Sequence, residues 1–200
     1  MTVKRLDSET RQIQIKKAVL DIISTEGIGK LSTRNLALRI GVTEGALFRH
    51  FSSKKAIMLS ILEDVKNGLV KEQERITNSK EYKADEKLYN FLCTHVNYLI
   101  ANKGITILLF SEAVHMNDPQ LKKHLREILS IQKEFVSRII KQGIEEGIWN
   151  EEIDTEDAAI LYMGIPISLN IELTLNPKFF KKEKFCSSMV SMIKKTLRKK

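Results

Sequence analysis

The sequence predicts an all-α fold of about nine helices, and three observations support this prediction. Only 9 Gly and 3 Pro occur in 200 residues, whereas a β-sandwich or barrel needs a turn signal about every 8 to 12 residues. Apolar residues recur at three- and four-residue intervals along much of the chain, which is the period of an amphipathic helix. The shares of hydrophobic residues (42%) and charged residues (29%) are ordinary for a globular protein and exclude wholesale disorder.

The first sixty residues carry the signals for four helices. Their predicted ranges are 9–26, 33–40, 44–50 and 54–77. Gly27 ends the first helix, and Gly41 stands where a left-handed residue ends the second. Hydroxyl residues that can cap the other three helices are Ser32 or Thr33, Thr43, and Ser52 or Ser53. The fourth helix is long and leads into the rest of the chain without a flexible hinge, so we expect it to transmit movement.

The remaining residues are predicted to form five further helices. Their ranges are about 88–99, 105–115, 119–146, 155–176 and 178–197. Asp118 is a capping residue, and Pro119 follows it at the first helical position. Asp154 or Thr155 starts the next helix, and Pro166 is expected to kink or interrupt that helix near its middle.

The net charge of +8 is unevenly distributed along the chain. Residues 1–60 carry +6, residues 61–177 carry −6 and residues 178–200 carry +8. A basic terminal segment suits nucleic acid or an anionic membrane surface, although many such runs are only solvated helix faces. Two distant cysteines and the lack of an apolar leader in the first residues favour a reducing cytoplasm. The apolar run from Ile107 to Phe110 is far shorter than the roughly 20 residues of a membrane-spanning helix, so we expect no span.

The two short helices near the N-terminus are joined by a tight turn, Gly41-Val42-Thr43, and follow a longer supporting helix. This arrangement is a helix-turn-helix. The second helix of such a motif reads base edges in the major groove, while capping groups and nearby cations hold the phosphates. The basic N-terminal segment is therefore predicted to bind double-stranded DNA.

Residues 11–62 resemble the DNA-binding region of the TetR/AcrR transcriptional regulators. The matching residues are Leu31-Ser32-Thr33, Leu36-Ala37, the run from Gly41 to Phe51, Lys54 and Ile57. The pair His50-Phe51, followed at the family spacing by Lys54, makes this combination specific. The resemblance implies a DNA-binding domain at residues 1–53 and a helical effector-binding and dimerisation domain at residues 54–200.

The helix positions and the resemblance together predict a set of DNA contacts. These are Thr33, Arg34, Thr43, Glu44, Gly45, Ala46, Phe48, Arg49, His50 and Lys54. Arg49 has a fork suited to guanine or phosphate, whereas His50 and Lys54 would hold phosphates. Phe48 and Ala46 stand where the family commonly has Tyr and Thr or Ser, so two phosphate-binding hydroxyls are lost. The Ala46 methyl can instead contact a thymine methyl.

Other residues of this segment are expected to have no part in recognition. Leu36, Leu47 and Phe51 should lie in the core. Arg39 and Lys55 are predicted to be solvated, because the helix phase points them away from the groove.

The resemblance also implies how the C-terminal part works. In similar proteins the last two helices pair with their symmetry mates in a four-helix bundle, which places two reading helices on a palindromic operator. In those proteins the core between the fifth and the eighth helix binds a small effector. Candidate contacts here are Phe91, His95, Tyr98, Phe110, His115, Phe135, Trp149 and Tyr162, although aromatic residues at helical spacing more often mark plain core. We expect an elongated hydrophobic or amphipathic effector, either an acyl chain or a drug-like cation, with Glu112 favouring a cation if it is buried without a partner.

The predicted function is that of a ligand-responsive, homodimeric transcriptional regulator, foremost a repressor. A DNA-binding adaptor controlled by a protein partner is the alternative, and a filled C-terminal core would favour it. Membrane association through the basic tail at residues 194–200 is a third possibility. We expect no cofactor and no metal, since Glu112-x-x-His115 has no second copy, and Cys93 has no cationic neighbours to activate it. No nucleophile elbow, P-loop or dinucleotide turn occurs, so an enzyme is not expected.

Overall fold

The computed structural model describes residues 7–102, 110–111, 113–115, 117–176 and 182–198. Its helices are α1 (Ser8–Glu26), α2 (Thr33–Ile40), α3 (Glu44–Phe48), α4 (Lys54–Val65), α5 (Lys71–Asn78), α6 (Ala84–Ala101), α7 (Pro119–Glu145), α8 (Thr155–Leu175) and α9 (Lys182–Leu197). No strand occurs among the described residues, and the all-α prediction is confirmed. The predicted helix at 105–115 lies mostly outside the described residues, although those described at 110–115 are helical.

Short polar side chains begin most of these helices, because the first backbone N–H groups of a helix have no partner within it. Ser32, Thr43 and Ser53 each accept a hydrogen bond from the backbone N–H three residues ahead. Asp118 and Asp154 do the same for α7 and α8. For three of these helices the sequence offered two possible capping residues each, and in the structure the caps are Ser32, Ser53 and Asp154.

The third helix is shorter than predicted. It ends at Phe48, and the N–H of His50 bonds to the carbonyl of Leu47, three residues back, rather than four. Such a bond tightens the last turn. Arg49 and His50 therefore lie in the turn that follows α3 and not within the helix, which corrects the predicted range 44–50.

The long connector predicted at 54–77 is present as α4, a π-helical turn (Lys66–Val70) and α5 in one continuous run. A π turn holds one residue more than an α-helical turn, and such turns often occur at functional sites. Tyr98 of α6 packs over this turn, 3.7 Å from the position that a Cβ on Gly68 would occupy. The next helix, α6, starts at Ala84, earlier than predicted, where the side chain of Glu86 accepts a bond from the N–H of Lys83.

One hydrophobic core runs through the molecule. α1 packs on α2 and on α4, and α2 packs on α3, whereas α6, α7 and α8 pack on each other, and α6 and α7 also pack on the π turn. Pro166 was expected to kink or interrupt α8, and the helix continues through it without interruption.

Within the described part of the chain, one helix, α8, is long and apolar enough to cross a membrane, with a mean hydropathy of 1.5 in its most apolar window. The core helix of a soluble protein has the same length and composition, so this feature alone is weak evidence for a span. Ala159, Tyr162, Met163 and Leu169 of α8 are buried within this chain.

Candidate nucleic-acid interface and effector cavity

The turn between α2 and α3 sets the geometry of the helix-turn-helix. Gly41 has φ +70°, the left-handed conformation that favours glycine, and the N–H of Val42 bonds to the carbonyl of Ala37. The two helix starts are joined directly, because the hydroxyl of Thr33 donates to Oε2 of Glu44 at 2.7 Å. Thr33 and Glu44, both predicted to contact DNA, therefore lie side by side.

The predicted DNA contacts lie at the surface, while the residues predicted as core lie beneath them. The exposed side chains or positions are Arg34, Thr43, Glu44, Gly45, Phe48 and Arg49, and the half-buried ones are Thr33, Ala46, His50 and Lys54. Leu36 and Leu47 are each 1% exposed. Phe48, a large apolar residue in this set, is 45% exposed.

The turn after α3 is fastened to the first helix. Nδ1 of His50 lies 3.3 Å from the hydroxyl of Ser8, and Nε2 of Gln12 donates to the carbonyl of His50 at 3.3 Å. These contacts fix the position of His50 relative to α1. Lys54 follows in the first turn of α4, where the free N–H groups of the helix start add to its positive charge.

Arg39 and Lys55, which were predicted to be solvated, are partly exposed and also form ion pairs within the chain. Arg39 forms ion pairs with Asp21 and Glu26 of α1. Lys55 forms an ion pair of 2.8 Å with Asp118, the capping residue of α7. Lys55, together with the N–H of Leu121, holds the pKa of the Asp118 carboxyl below its usual value. Both residues form their ion pairs outside the set of predicted DNA contacts. The pair formed by Lys55 links α4 to the start of α7.

A second ion pair fastens the connector to α7. Nζ of Lys66, at the start of the π turn, lies 2.9 Å from Oε2 of Glu127 and holds the pKa of that carboxyl below its usual value. α7 is therefore linked to the connector at two points along its length.

An apolar cavity of about 190 Å³ lies between the connector, α6, α7 and α8. A cavity of about 150 Å³ lined by apolar side chains is large enough to hold benzene. Leu62, Val65 and Leu69 form the wall on the side of the connector. The lining includes three polar side chains, His95, Gln132 and Asn170, and no charged side chain among the described residues.

An open groove of about 540 Å³ adjoins this inner cavity. The two spaces share the wall residues Phe110, Leu125, Leu129, Met163 and Ile167. The groove is bordered by three cations of α7, Lys122, Arg126 and Lys133, and by no carboxylate among the described residues. An inner apolar space and an outer cationic border are thus adjacent.

Of the eight predicted effector contacts, the structure brings His95 and Phe110 to the inner cavity. The other six lie elsewhere. Phe91 and Tyr162 are fully buried against each other with ring centroids 6.1 Å apart, and the Tyr162 hydroxyl donates to the carbonyl of Leu88. Tyr98 covers the π turn, and burial raises its pKa to about 12.

The remaining three have different environments. Phe135 is 6% exposed and belongs to the core. Trp149 lies against the backbone of α7 at Gly143. His115 is exposed. Glu112 lies outside the described residues. Among those described, no group of three His, Cys, Asp or Glu could hold a metal ion, and Cys93 and Cys186 are not joined in a disulfide.

His95 has the most unusual environment of the cavity residues. It is 8% exposed, and its Nδ1 is buried without a hydrogen-bond partner among the described residues. Burial lowers its pKa to about 4, so the imidazole is neutral at physiological pH. The neighbouring Gln132 donates from Nε2 to Oε1 of Gln73 at 2.8 Å.

Sequence reasoning missed Gln132 and Asn170, although a signal was present. Gln132 lies on the apolar stripe of α7 between Ile128 and Phe135, and Asn170 follows Leu169 in the most apolar helix of the chain. A polar residue on a buried helix face needs a partner. That pattern would have directed attention to both.

Two family descriptions match this chain. "Bacterial regulatory proteins, tetR family" matches residues 15–61, and "YsiA-like protein, C-terminal region" matches residues 63–170, more than half of the chain. The chain belongs to the TetR family. Family membership makes it a helix-turn-helix DNA-binding transcriptional regulator rather than an enzyme.

Individual relatives of this TetR-family protein are distant. The nucleoid occlusion factor SlmA of Haemophilus influenzae is 26% identical over 147 residues, which cover 72% of this chain and 66% of that protein, just under two thirds. The fatty acid metabolism regulator protein of Bacillus subtilis is 23% identical over 154 residues, 77% of this chain and 78% of that protein. The crystal structure of Bacillus subtilis FadR in complex with stearoyl-CoA is similar in fold, with a TM-score of 0.74 and 21% identity over 90% of this chain and 96% of that one.

Proposed function

We propose that this protein is a cytoplasmic, homodimeric transcriptional repressor that leaves a palindromic operator when an acyl-chain effector with an anionic head binds. The observation that carries this proposal is the apolar cavity against the connector helix, which adjoins a groove bordered by cations. The helix-turn-helix supplies the DNA-binding surface. The cavity supplies the sensor, and the connector joins the two.

The dimer is supported by an exposed apolar surface on α8. Leu161, Ile171 and Leu175 of this helix are between 42% and 77% exposed in the single chain and do not line the effector groove. Isolated apolar side chains at a surface are ordinary, but a row of them along one helix indicates a contact with another molecule. A second copy of the chain would cover this row, and pairing of α8 and α9 with their symmetry mates gives a four-helix interface.

The effector class follows from the two adjacent spaces. An apolar cavity without charged groups accepts a hydrocarbon chain and disfavours a bound cation, which would be desolvated without a counterion. The groove beside it offers Lys122, Arg126 and Lys133 to a carboxylate or phosphate. The fold relative crystallised with stearoyl-CoA supports a ligand with this combination. The alternative of an adaptor controlled by a protein partner would need no such cavity.

The coupling between effector and DNA runs through the connector. Leu62, Val65 and Leu69 form one cavity wall, and Lys54, a predicted phosphate contact, begins the same continuous helix. A ligand that binds better to the arrangement with a displaced connector makes the DNA-binding arrangement the minor state. The spacing of the two reading helices then no longer matches the operator.

The DNA-binding surface can be tested on a duplex selected by the protein from a random-sequence library. The selected sequence should be palindromic, and Arg49→Ala should weaken binding about five- to hundredfold in a gel-shift titration. Lys54→Ala should also weaken binding. It should reduce the slope of log affinity against log salt concentration by about one, as expected for the loss of one phosphate contact. Lys141→Ala, which removes an exposed cation of α7, is the control. Unchanged binding by the first two variants would refute the assignment.

The dimer can be tested by sedimentation at micromolar concentration. The wild-type chain should be a dimer, and Leu161→Arg should be a folded monomer, because it places a charge within the apolar row on α8. A monomeric wild type would refute the proposed assembly.

The effector can be tested by adding stearoyl-CoA to the protein bound to its selected duplex. DNA should be released, and coenzyme A without the acyl chain should have no effect. Arg126→Ala combined with Lys133→Ala should raise the required stearoyl-CoA concentration, whereas Lys141→Ala should leave it unchanged. Full retention of DNA at saturating stearoyl-CoA and at shorter acyl chains would refute this effector class.

A further inference from the structure

The cavity wall includes three polar side chains, although a plain hydrocarbon tail would need only apolar walls. His95 and Gln132 lie there and are absent from the outer groove, which has the cations. Both side chains are almost completely buried, at 8% and 2% exposure. Because these two groups line only the inner cavity, a tail whose head stays at the cationic groove would reach them beyond the wall that the two spaces share.

The imidazole of His95 is the group that remains unsatisfied. Its Nδ1 is buried with no partner among the described residues, and the His95 side chain is part of the cavity wall. A buried polar atom without a hydrogen bond destabilises the folded protein. Such an atom at the wall of a cavity is satisfied when the cavity's occupant provides the partner.

The charge state of His95 limits what that partner can be. The pKa of about 4 leaves the ring neutral, so it does not attract a carboxylate by charge. A hydroxyl can both donate and accept a hydrogen bond, and it therefore suits either tautomer of a neutral imidazole.

We infer that the effector's tail carries a hydroxyl in its distal half, which forms a hydrogen bond with Nδ1 of His95 in the cavity wall. This inference rests on the proposed acyl-chain effector and specifies its chemistry. His95 is then a specificity-determining residue, which selects hydroxylated chains over plain chains of the same length.

The test compares dodecanoyl-CoA with its 8-, 10- and 12-hydroxy derivatives and with the 3-hydroxy derivative, using calorimetric titration of the full-length dimer. At least one distal hydroxy derivative should bind roughly three- to tenfold more tightly than dodecanoyl-CoA, because it satisfies a buried group. The 3-hydroxy derivative carries its oxygen near the head and should show no such gain.

Two variants at the same position separate a hydrogen bond from a change in shape. His95→Leu should abolish the preference and bind dodecanoyl-CoA at least as well as the wild type does. His95→Gln keeps a hydrogen-bonding side chain and should keep part of the preference. If His95→Leu does not fold, the wild-type comparison and His95→Gln still decide the question.

Equal or tighter binding of dodecanoyl-CoA to the wild type would overturn the inference and leave the proposed acyl effector standing. The same holds if the preference persists in His95→Leu. An ordered water molecule on Nδ1 that the ligand does not displace would give the first of these results. If none of the acyl-CoA compounds binds, the proposed effector class and this inference both fail.

Discussion

The contact between Gly143 and Trp149 makes a sharp test of the packing at the end of α7. The indole of Trp149 is 2% exposed and lies directly on the helix backbone, in the place where any other residue would have a side chain. A Cβ at position 143 would lie 2.7 Å from Cδ2 of the ring and closer still to Cε3 and Cζ3. Ordinary carbon contacts are about 3.5–4.0 Å, so the ring would have to move by roughly 1 Å or more.

The ring has little freedom to move. The backbone N–H groups of Ile148 and Trp149 both bond to the carbonyl of Gly143, which holds the turn against the helix. Overpacking in a core costs about 1–3 kcal/mol, and complete loss of the buried indole, about 150–250 Å² at 25 cal/mol per Å², would cost about 4–6 kcal/mol. Alanine gains about 1 kcal/mol over glycine in a helix interior. Gly143→Ala should therefore destabilise the protein by about 2–4 kcal/mol.

Urea and thermal unfolding at one fixed protein concentration measure this effect. The melting temperature should fall by about 5–15 °C for a chain of this length. Trp149 is the sole tryptophan of the chain, so its fluorescence emission should shift to longer wavelength as the ring becomes exposed. Gly68→Ala is the matched control, because its Cβ would meet Tyr98 at an ordinary 3.7 Å and stability should be unchanged or slightly raised. A Gly143→Ala protein as stable as the wild type, with unshifted emission, would refute the reasoning.

Three further predictions concern buried and linking groups. Lys55→Ala breaks the ion pair with Asp118 and should reduce, by roughly two- to thirtyfold, the ratio of DNA affinities without and with stearoyl-CoA; an unchanged ratio in a gel-shift titration would rule out this link. The pKa of His95 is about 4 in the folded protein and about 6.5 when unfolded, so the unfolded chain takes up the proton first as the pH falls. The free energy of unfolding therefore carries no penalty from His95 above pH 6.5 and falls as the pH drops towards 4, by about 2 kcal/mol at pH 5. His95→Leu should lack this part of the pH dependence in urea unfolding. Tyr162→Phe removes the hydroxyl that donates to Leu88 and should cost about 1 kcal/mol in the same assay, whereas a gain in stability would contradict the assigned bond.

The helix-turn-helix could be predicted from the sequence because its signals are local. Ser32, Thr43 and Ser53 cap the helices that follow them, and Gly41 takes the left-handed conformation that its position requires. Each of these interactions joins residues within one turn of each other. The local sequence is therefore sufficient to predict where these helices begin and end.

The cavity could not be predicted in the same way. Leu62 and Leu69 line it, yet they have the helical spacing of ordinary core residues, and an unfilled space arises only from how separate helices meet. The pairing of Lys55 with Asp118 also depends on tertiary structure, because helix phase indicates only that Lys55 points away from the groove. Trp149 is an instructive case, since its aromatic character suggested a ligand contact and the structure places it on Gly143.

The first three turns of α4 pack against the N-terminal helices and also line the cavity. This limits how the domains of such proteins can be exchanged. Ile57 and Met58 are buried near the start of α4, where α1 packs, whereas Leu62 and Val65 line the cavity a turn later. Suppose that the helix-turn-helix of one relative replaced that of another, with the junction just before α4. The N-terminal helices would then be separated from the α4 side chains against which they pack. A functional chimera should instead carry α4 along with the helix-turn-helix and inherit part of the donor's cavity wall. New operator preferences introduced in this way would bring some of the donor's ligand response with them.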